Sequence, residues 1–326
     1  MVNTMVNTMV NPMVNPTFKT VTRSQGNNQA LKDGSVLPKT FNFEFEEVPV
    51  LVHAFRRMVR ELEFDICEMA LTTYICAKEH GAKFTALPIF LVRDFHHGAI
   101  YYNTKAGINS PKDLQGKKVG VNRGYTVTTG VWARSILQDE YAVDLDQVTW
   151  VLSGDEHVAD YQAPANVVPI EAGDSIEQML ISGELAAAIG VTVDHPDIRP
   201  LIPDALQAGL SALQQRGLYP INHLIVVKDE VLAAYPGLAE DIFATFVAAK
   251  QLYLAQLKAG TIDNPTHIDE VHRRVSELLA DPLPYGVAPN RAVLEQLLSH
   301  AQKQKIITRA VSVDELFAPA TLDLIG

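Results

Sequence analysis

The stretch "VRDFHHGAIYY", residues 92–102, places two adjacent histidines, His96 and His97, just downstream of Arg93. Imidazoles ligate metals and exchange protons near neutral pH. A guanidinium grips a carboxylate in two-pronged fashion. Read as a strand, the stretch alternates its side chains, so Arg93, Phe95, His97, Ala99 and Tyr101 share one face. Asp94, His96, Gly98 and Ile100 share the other. The two histidines then diverge and cannot hold one metal ion between them. Arg93 and His97 point together, as an anion clamp beside a proton-transfer group or as a buried structural arginine beside a core histidine. His96 reads as a satisfied core side chain.

Other residues offer chemistry. Glu68 follows the strand-like "EFDIC", and ligands of open α/β sheets sit at the carboxyl ends of parallel strands. It suits a proton donor, a hydrogen-bond acceptor for ligand hydroxyls, or a hinge carboxylate. The segment "RGYTVTTG" (123–130) opens a helix, where free backbone N–H groups and the helix dipole favour an anion. Tyr125, Thr126, Thr128 and Thr129 lie in it, and plain N-capping is the other reading. Arg134, further along, reads as solvated or ion-paired. His223 stands alone in the apolar "INHLIVV", usually a core position. Tyr285 lies in "PLPYG", and Arg291 reads as paired with an acidic neighbour. The sequence has no H-E-x-x-H and no G-x-x-x-x-G-K-[ST]. It also lacks the dinucleotide glycine fingerprint. Cys67 and Cys76 form no C-x-x-C pair and read as reduced, buried thiols.

These residues must be positioned by a regular framework. "FKTVTRS" alternates as a strand, as does "TFNFEFEEV", with Phe41, Phe43 and Phe45 on one face. Pro49 suits the start of a helix carrying Val52, Phe55, Val59 and Leu62. "LTTYICAKEHG" reads as a helix closed by Gly81, and "FTALPIFLV" and "FHHGAIYY" as strands. From "SPKDLQGKKVGV" onward the order is β–α–β–α–β, which predicts a parallel sheet. After residue 197 longer helices return, over "GLAEDIFATFVAAKQLYLAQLKAG", "HIDEVHRRVSELLA" and "NRAVLEQLLSHAQKQ". The expected architecture is α/β with two lobes. Residues 17–103 and 198–326 form lobe I, and 104–197 form an inserted lobe II, with a ligand cleft between them.

Composition narrows the function. The 326 residues carry a formal net charge of −11, which argues against a nucleic-acid partner. No apolar run approaches the ~20 residues that span a bilayer. Residues 1–16 repeat MVNT and MVNP, without the basic and apolar regions of a secretory signal, and read as a disordered tail or a start-site artefact. A cytoplasmic protein is expected.

The segments "SPKDLQGKKVGVNRGYTVTTGVWARSIL" and "IEQMLISGELAAAIG" resemble the second lobe of type II periplasmic-binding-protein folds. Together with "RELEFDICEMALTTYI", "PIFLVRDFHHGAIYYN", "YPINHLIVV" and "DPLPYGVAPNR", they are similar to the 4,5-dihydroxyphthalate decarboxylase family, from about Phe18 to about Phe317. His96 stands where that family usually has arginine, and Gly130 where it has alanine. The resemblance implies cofactor-free decarboxylation of 4,5-dihydroxyphthalate to 3,4-dihydroxybenzoate, with a labile divalent metal left open. It implies His97 or His223 as the proton donor and Glu68 as partner of the ring hydroxyls. Arg93 with Tyr125, Thr126, Thr128 and Thr129 would clamp the substrate, and Tyr285 would contact it. The expected partner is a small aromatic carboxylate, with homo-oligomerisation left open. The alternative is a non-catalytic solute-binding or sensor protein for an organic anion.

Overall fold

The computed structural model describes residues 15–326. The repeat tail expected at the N-terminus lies, up to residue 14, outside the described residues. The chain begins with β1 (Thr17–Val21), α1 (Gln29–Lys32), β2 (Asn42–Phe45), α2 (Leu51–Glu61), β3 (Ile66–Ala70), α3 (Leu71–Glu79) and β4 (Phe84–Arg93). The aromatic alternation around β2 does what it predicts: Phe41 is fully buried, and Phe43 and Phe45 pack against the same core. Gly81 follows α3 in the left-handed conformation, which a residue without Cβ adopts at no steric cost.

The chain then crosses to a second sheet. It forms β5 (Ile100–Asn103), β6 (Lys118–Val121), α4 (Thr128–Tyr141), β7 (Thr149–Leu152), β8 (Val167–Pro169), α5 (Ile176–Ser182), β9 (Ala187–Ile189) and β10 (Ile198–Pro200). It returns through α6 (Ala205–Arg216) to β11 (Ile221–Lys228), α7 (Asp229–Ala234), α8 (Leu238–Ala259), α9 (His267–Val275) and α10 (Arg291–Lys303).

The sheet orders are β2-β1-β3-β11-β4 and β10-β5-β9-β6-β7-β8. In each sheet one strand runs against the rest. β11 is antiparallel to β3 and β4, and β5 is antiparallel to β9 and β10. These are the first strands formed after each crossing, so the crossings set the polarity. β5 and β10 both belong to the second sheet, which moves the lobe boundaries expected at 103/104 and 197/198. The second lobe begins at Ile100 and ends at Pro200.

The stretch 92–102 is not one strand. β4 stops at Arg93, β5 starts at Ile100, and residues 97–99 form a turn of 3-10 helix between them. Ala99 N–H donates to His96 O at 3.1 Å, and Gly190 N–H donates to Ala99 O at 2.8 Å. Phe95 packs on α6 at Gly209, where a Cβ would come within 2.3 Å of the ring. Side-chain alternation ends where the chain changes sheets, so the face shared by Arg93 and His97 does not exist.

Candidate active site in the interlobe cleft

The chemistry begins in the first sheet. β3 and β11 run antiparallel, with His223 opposite Ala70 and Ile225 opposite Glu68. Glu68 and His223 are therefore diagonal neighbours on one face. Glu68 Oε1 lies 2.6 Å from His223 Nδ1, and Arg23 N–H donates to Glu68 Oε2 at 2.9 Å. Glu68 lies inside β3, not beyond its end, and is fully buried. Its oxygens are committed, so it does not meet ligand hydroxyls as expected. What it does is orient the imidazole. With Nδ1–H given to the carboxylate, Nε2 is left for a ligand. No described residue bonds that nitrogen, and the side chain is 17% exposed.

His223 opens on a small cavity between the lobes. The first lobe contributes Val52, Phe55, Ala70, Asn222 and His223, and the second Arg123, Val127, Thr128, Thr129 and His157. Phe55 stands between two imidazoles, its ring centre 5.2 Å from that of His223 and 6.1 Å from that of His157, edge-on to both. His157 is buried, with Nδ1 3.4 Å from Thr73 Oγ1. Burial, reinforced by Arg56 and Arg123, pushes its pKa down to about 4. Arg123 has a left-handed backbone, φ 73°. Beside it a Cβ on Gly124 would sit 2.6 Å from Glu156 Oε2 and displace that carboxylate. No carboxylate among the described residues pairs with the Arg123 guanidinium, which partial burial holds below its usual pKa. A larger depression of about 760 Å³, between α8 and residues 276–282, is lined by neither histidine nor carboxylate and lies away from this cleft.

The two lobes are drawn together around the cavity. Arg56 pairs with Asp155 at 2.7 Å, and Arg60 donates to the carbonyls of Glu156 and His157 at 2.8 and 3.1 Å. Thr72 Oγ1 donates to Thr126 O at 2.6 Å, and Thr72 N–H donates to Thr128 Oγ1 at 3.1 Å. The enclosed space is about 50 Å³, far below the ~300 Å³ and more of ordinary ligand pockets. An aromatic dicarboxylate enters only if the lobes part.

Several expected site residues lie elsewhere. Arg93 is buried behind the hinge, donating to Asn290 Oδ1 at 2.7 Å and Tyr219 O at 2.5 Å. It lies over the Tyr219 ring at 4.2 Å, and burial pushes its pKa down to about 10. His97 is fully buried in the crossing, with Nε2 3.0 Å from Glu140 Oε1, and Glu140 in turn pairs with Arg216. Tyr125 and Thr126 are buried, and their N–H groups donate to the Glu156 carboxylate, which also takes the Thr126 hydroxyl at 2.6 Å. The anion-binding backbone expected there is filled by the protein's own acid. Of that stretch, Thr128 and Thr129 line the cavity, and the Thr128 hydroxyl is engaged with Thr72. Tyr285 is fully buried, its hydroxyl accepting from Asn27 Nδ2 at 3.3 Å. Arg134, read as solvated or ion-paired, is fully buried and stacks on Tyr125 at 3.8 Å. Arg291 does pair with an acid, Asp314, at 2.6 Å. His96 is a buried, bonded histidine, with Nε2 2.7 Å from Oδ1 of the cavity residue Asn222.

Sequence reasoning missed Arg123, His157 and Asn222. Arg123 and Asn222 sit inside stretches that drew notice for their neighbours. His157 lies in the loop "SGDEHVAD", where no periodicity marks which side chain turns inward. Among the described residues, no group of three His, Cys, Asp or Glu side chains is arranged to hold a metal ion.

The buried histidines set an acid limit on stability. His157 and His272 are both pushed down to about 4 from 6.5, chiefly by burial. A depressed histidine is neutral when folded but takes a proton when unfolded. Its contribution is therefore complete above pH 6.5 and is lost as pH falls toward 4. Each should remove about 3 kcal/mol over that window. Urea midpoints at pH 7.5 and 4.5 should differ accordingly, and equal midpoints would contradict the assignment.

No protein-family profile matches the chain. The 4,5-dihydroxyphthalate decarboxylase of Comamonas testosteroni is 30% identical over 286 residues, covering 82% of this chain and 86% of that protein. The Pseudomonas putida protein of the same name is 35% identical over 164 residues, 46% of this chain and 63% of its own. Among solved structures, the alkanesulfonate-binding protein SsuA of Xanthomonas axonopodis pv. citri superposes with a TM-score of 0.53 at 14% identity, over 94% of this chain and 99% of that one. The desulfurization enzyme DszB gives 0.51 at 14% identity, over 94% and 98%. Both establish the two-lobed periplasmic-binding-protein-like fold and nothing finer. At the level of sequence, this chain belongs to the 4,5-dihydroxyphthalate decarboxylase family, a family of carboxy-lyases.

Proposed function

We propose that the chain removes CO2 from a dihydroxylated aromatic dicarboxylate, with 4,5-dihydroxyphthalate giving 3,4-dihydroxybenzoate as the best-supported case. The observation that carries this reading is the Glu68–His223 pair, 2.6 Å apart, opening on a cleft that also holds Arg123, which no carboxylate among the described residues pairs. The names of the two relatives support the substrate.

Direct loss of CO2 would leave an aryl carbanion. Protonating the ring carbon that bears the carboxylate avoids this, because the hydroxyl para to it supplies electrons. The proton comes from Nε2–H of the His223 imidazolium, which the Glu68 carboxylate orients and stabilises through Nδ1–H. The C–CO2 bond then breaks, its electron pair restores the aromatic ring, and CO2 departs. One proton enters the ring for each carboxylate lost. Arg123, with Thr129 at the start of α4, holds the remaining carboxylate.

The test is to incubate the purified chain with 4,5-dihydroxyphthalate in D2O and measure CO2 and 3,4-dihydroxybenzoate. The expected product carries one deuterium where the carboxylate was, and a chelator leaves the rate unchanged. Saturable binding with no product would overturn this reading in favour of a solute-binding protein.

A further inference from the structure

We infer that His157 is the second proton-handling group of this site: it accepts the proton of the ring hydroxyl para to the departing carboxylate. The inference rests on the decarboxylation reading above and assigns a role that reading leaves open.

Electron donation from the para oxygen requires that oxygen to lose its proton as the ring carbon gains one. Glu68 cannot take it, being fully buried with one oxygen on His223 and the other on Arg23 N–H. The titratable side chains lining the cavity are Arg123, His157 and His223. Arg123 accepts no proton, and His223 is the donor. His157 is the one base left among them.

Its placement fits the task. His157 comes from the second lobe and His223 from the first, and Phe55 meets both rings edge-on. A flat substrate lying along Phe55 would have an imidazole toward each end, one to deliver a proton and one to take it. Arg56, Arg60 and Arg123 surround His157, with Asp155 opposing them, and Thr73 Oγ1 stands 3.4 Å from Nδ1. Burial and these cations keep the ring neutral at pH 7, with a pKa of about 4. So weak a base suffices here, because protonating the ring carbon makes the para hydroxyl far more acidic than a free phenol. After CO2 leaves, the ring oxygen takes this proton back from His157, and His223 is recharged from solvent. The net consumption is one proton.

Lobe closure puts the base in place. The His157 carbonyl accepts from Arg60 at 3.1 Å, and Arg56 holds Asp155 two positions before it. Both arginines belong to α2 of the first lobe.

The experiment compares His157→Gln and His157→Asn with the wild type on 4,5-dihydroxyphthalate from pH 6 to 10. Binding of 3,4-dihydroxybenzoate, measured by calorimetry, checks that the cleft is intact. At pH 7 kcat should fall about 100-fold or more. The ratio of variant to wild type should then climb about tenfold per pH unit toward the phenol pKa of roughly 10, as solution removes the proton that His157 no longer takes. A ratio that is low but flat with pH means a structural role and overturns the inference. So does an unchanged kcat at pH 7. A wild type without turnover overturns this inference and the decarboxylase reading together, whereas an active wild type with a flat ratio overturns this inference alone.

Discussion

His223→Ala is expected to reduce kcat by roughly 10³-fold or more while leaving the fold intact, because it removes the proposed proton donor. The side chain projects into the cleft, 17% exposed, and its truncation opens little new space in the core. Glu68→Gln should cost a comparable amount for a different reason. The glutamine keeps an oxygen for Arg23 N–H but can present an amide N–H to His223 Nδ1. That favours the neutral ring with Nδ1 as acceptor, whose Nε2–H is a far weaker acid than that of the imidazolium the carboxylate stabilises. Because Glu68 acts only through His223, the two losses should not add: His223→Ala/Glu68→Gln should match His223→Ala within a few fold. Steady-state kinetics on the three variants decides the matter. A His223→Ala enzyme within tenfold of wild type would remove the donor assignment, and multiplicative losses would mean Glu68 has a separate role.

The same pair shows how far the sequence could be read. The two lobes, their order and the inserted second sheet follow from periodicity, because strand and helix spacing report burial directly. The alternation of Phe41, Phe43 and Phe45 and the helix stop at Gly81 both hold. Glu68 and His223 could be singled out separately, though not as partners. They are 155 positions apart and meet only because β11 inserts between β3 and β4. The crossing itself was illegible. A run such as "FHHGAIYY" has strand composition throughout, and nothing local says that it leaves one sheet before Phe95 and joins another at Ile100. Alternation carried through that break assigns Arg93 and His97 to a cleft that neither reaches. The loop residues His157 and Arg123 were missed because their orientation is set by partners in the other lobe or by a left-handed backbone. A one-dimensional pattern encodes neither.

Arg93 gives the sharpest contrast between the two readings. A substrate clamp at that position would, on mutation, raise KM and leave stability alone. The structure makes the opposite demand. Arg93 fastens the end of β4, where the first crossing begins, to Tyr219, where the second crossing ends, and to Asn290 ahead of α10. Asn290 in turn donates to Pro284 O and Gly286 O at 2.8 Å each. Arg93→Met fills much of the same volume but leaves the Asn290 and Tyr219 oxygens without their donor and removes the stacking on Tyr219. Two charge-assisted hydrogen bonds and two stranded acceptors should together cost about 3 kcal/mol or more, partly offset because no guanidinium need then be desolvated. Arg93→Lys should not restore the loss, since one ammonium cannot reproduce the planar fork that reaches both oxygens. Urea unfolding of both variants, with KM measured well below their melting temperatures, separates the cases. A lowered midpoint with unchanged KM is expected. A raised KM at full stability would return Arg93 to the cleft, and with it the strand alternation that the crossing breaks.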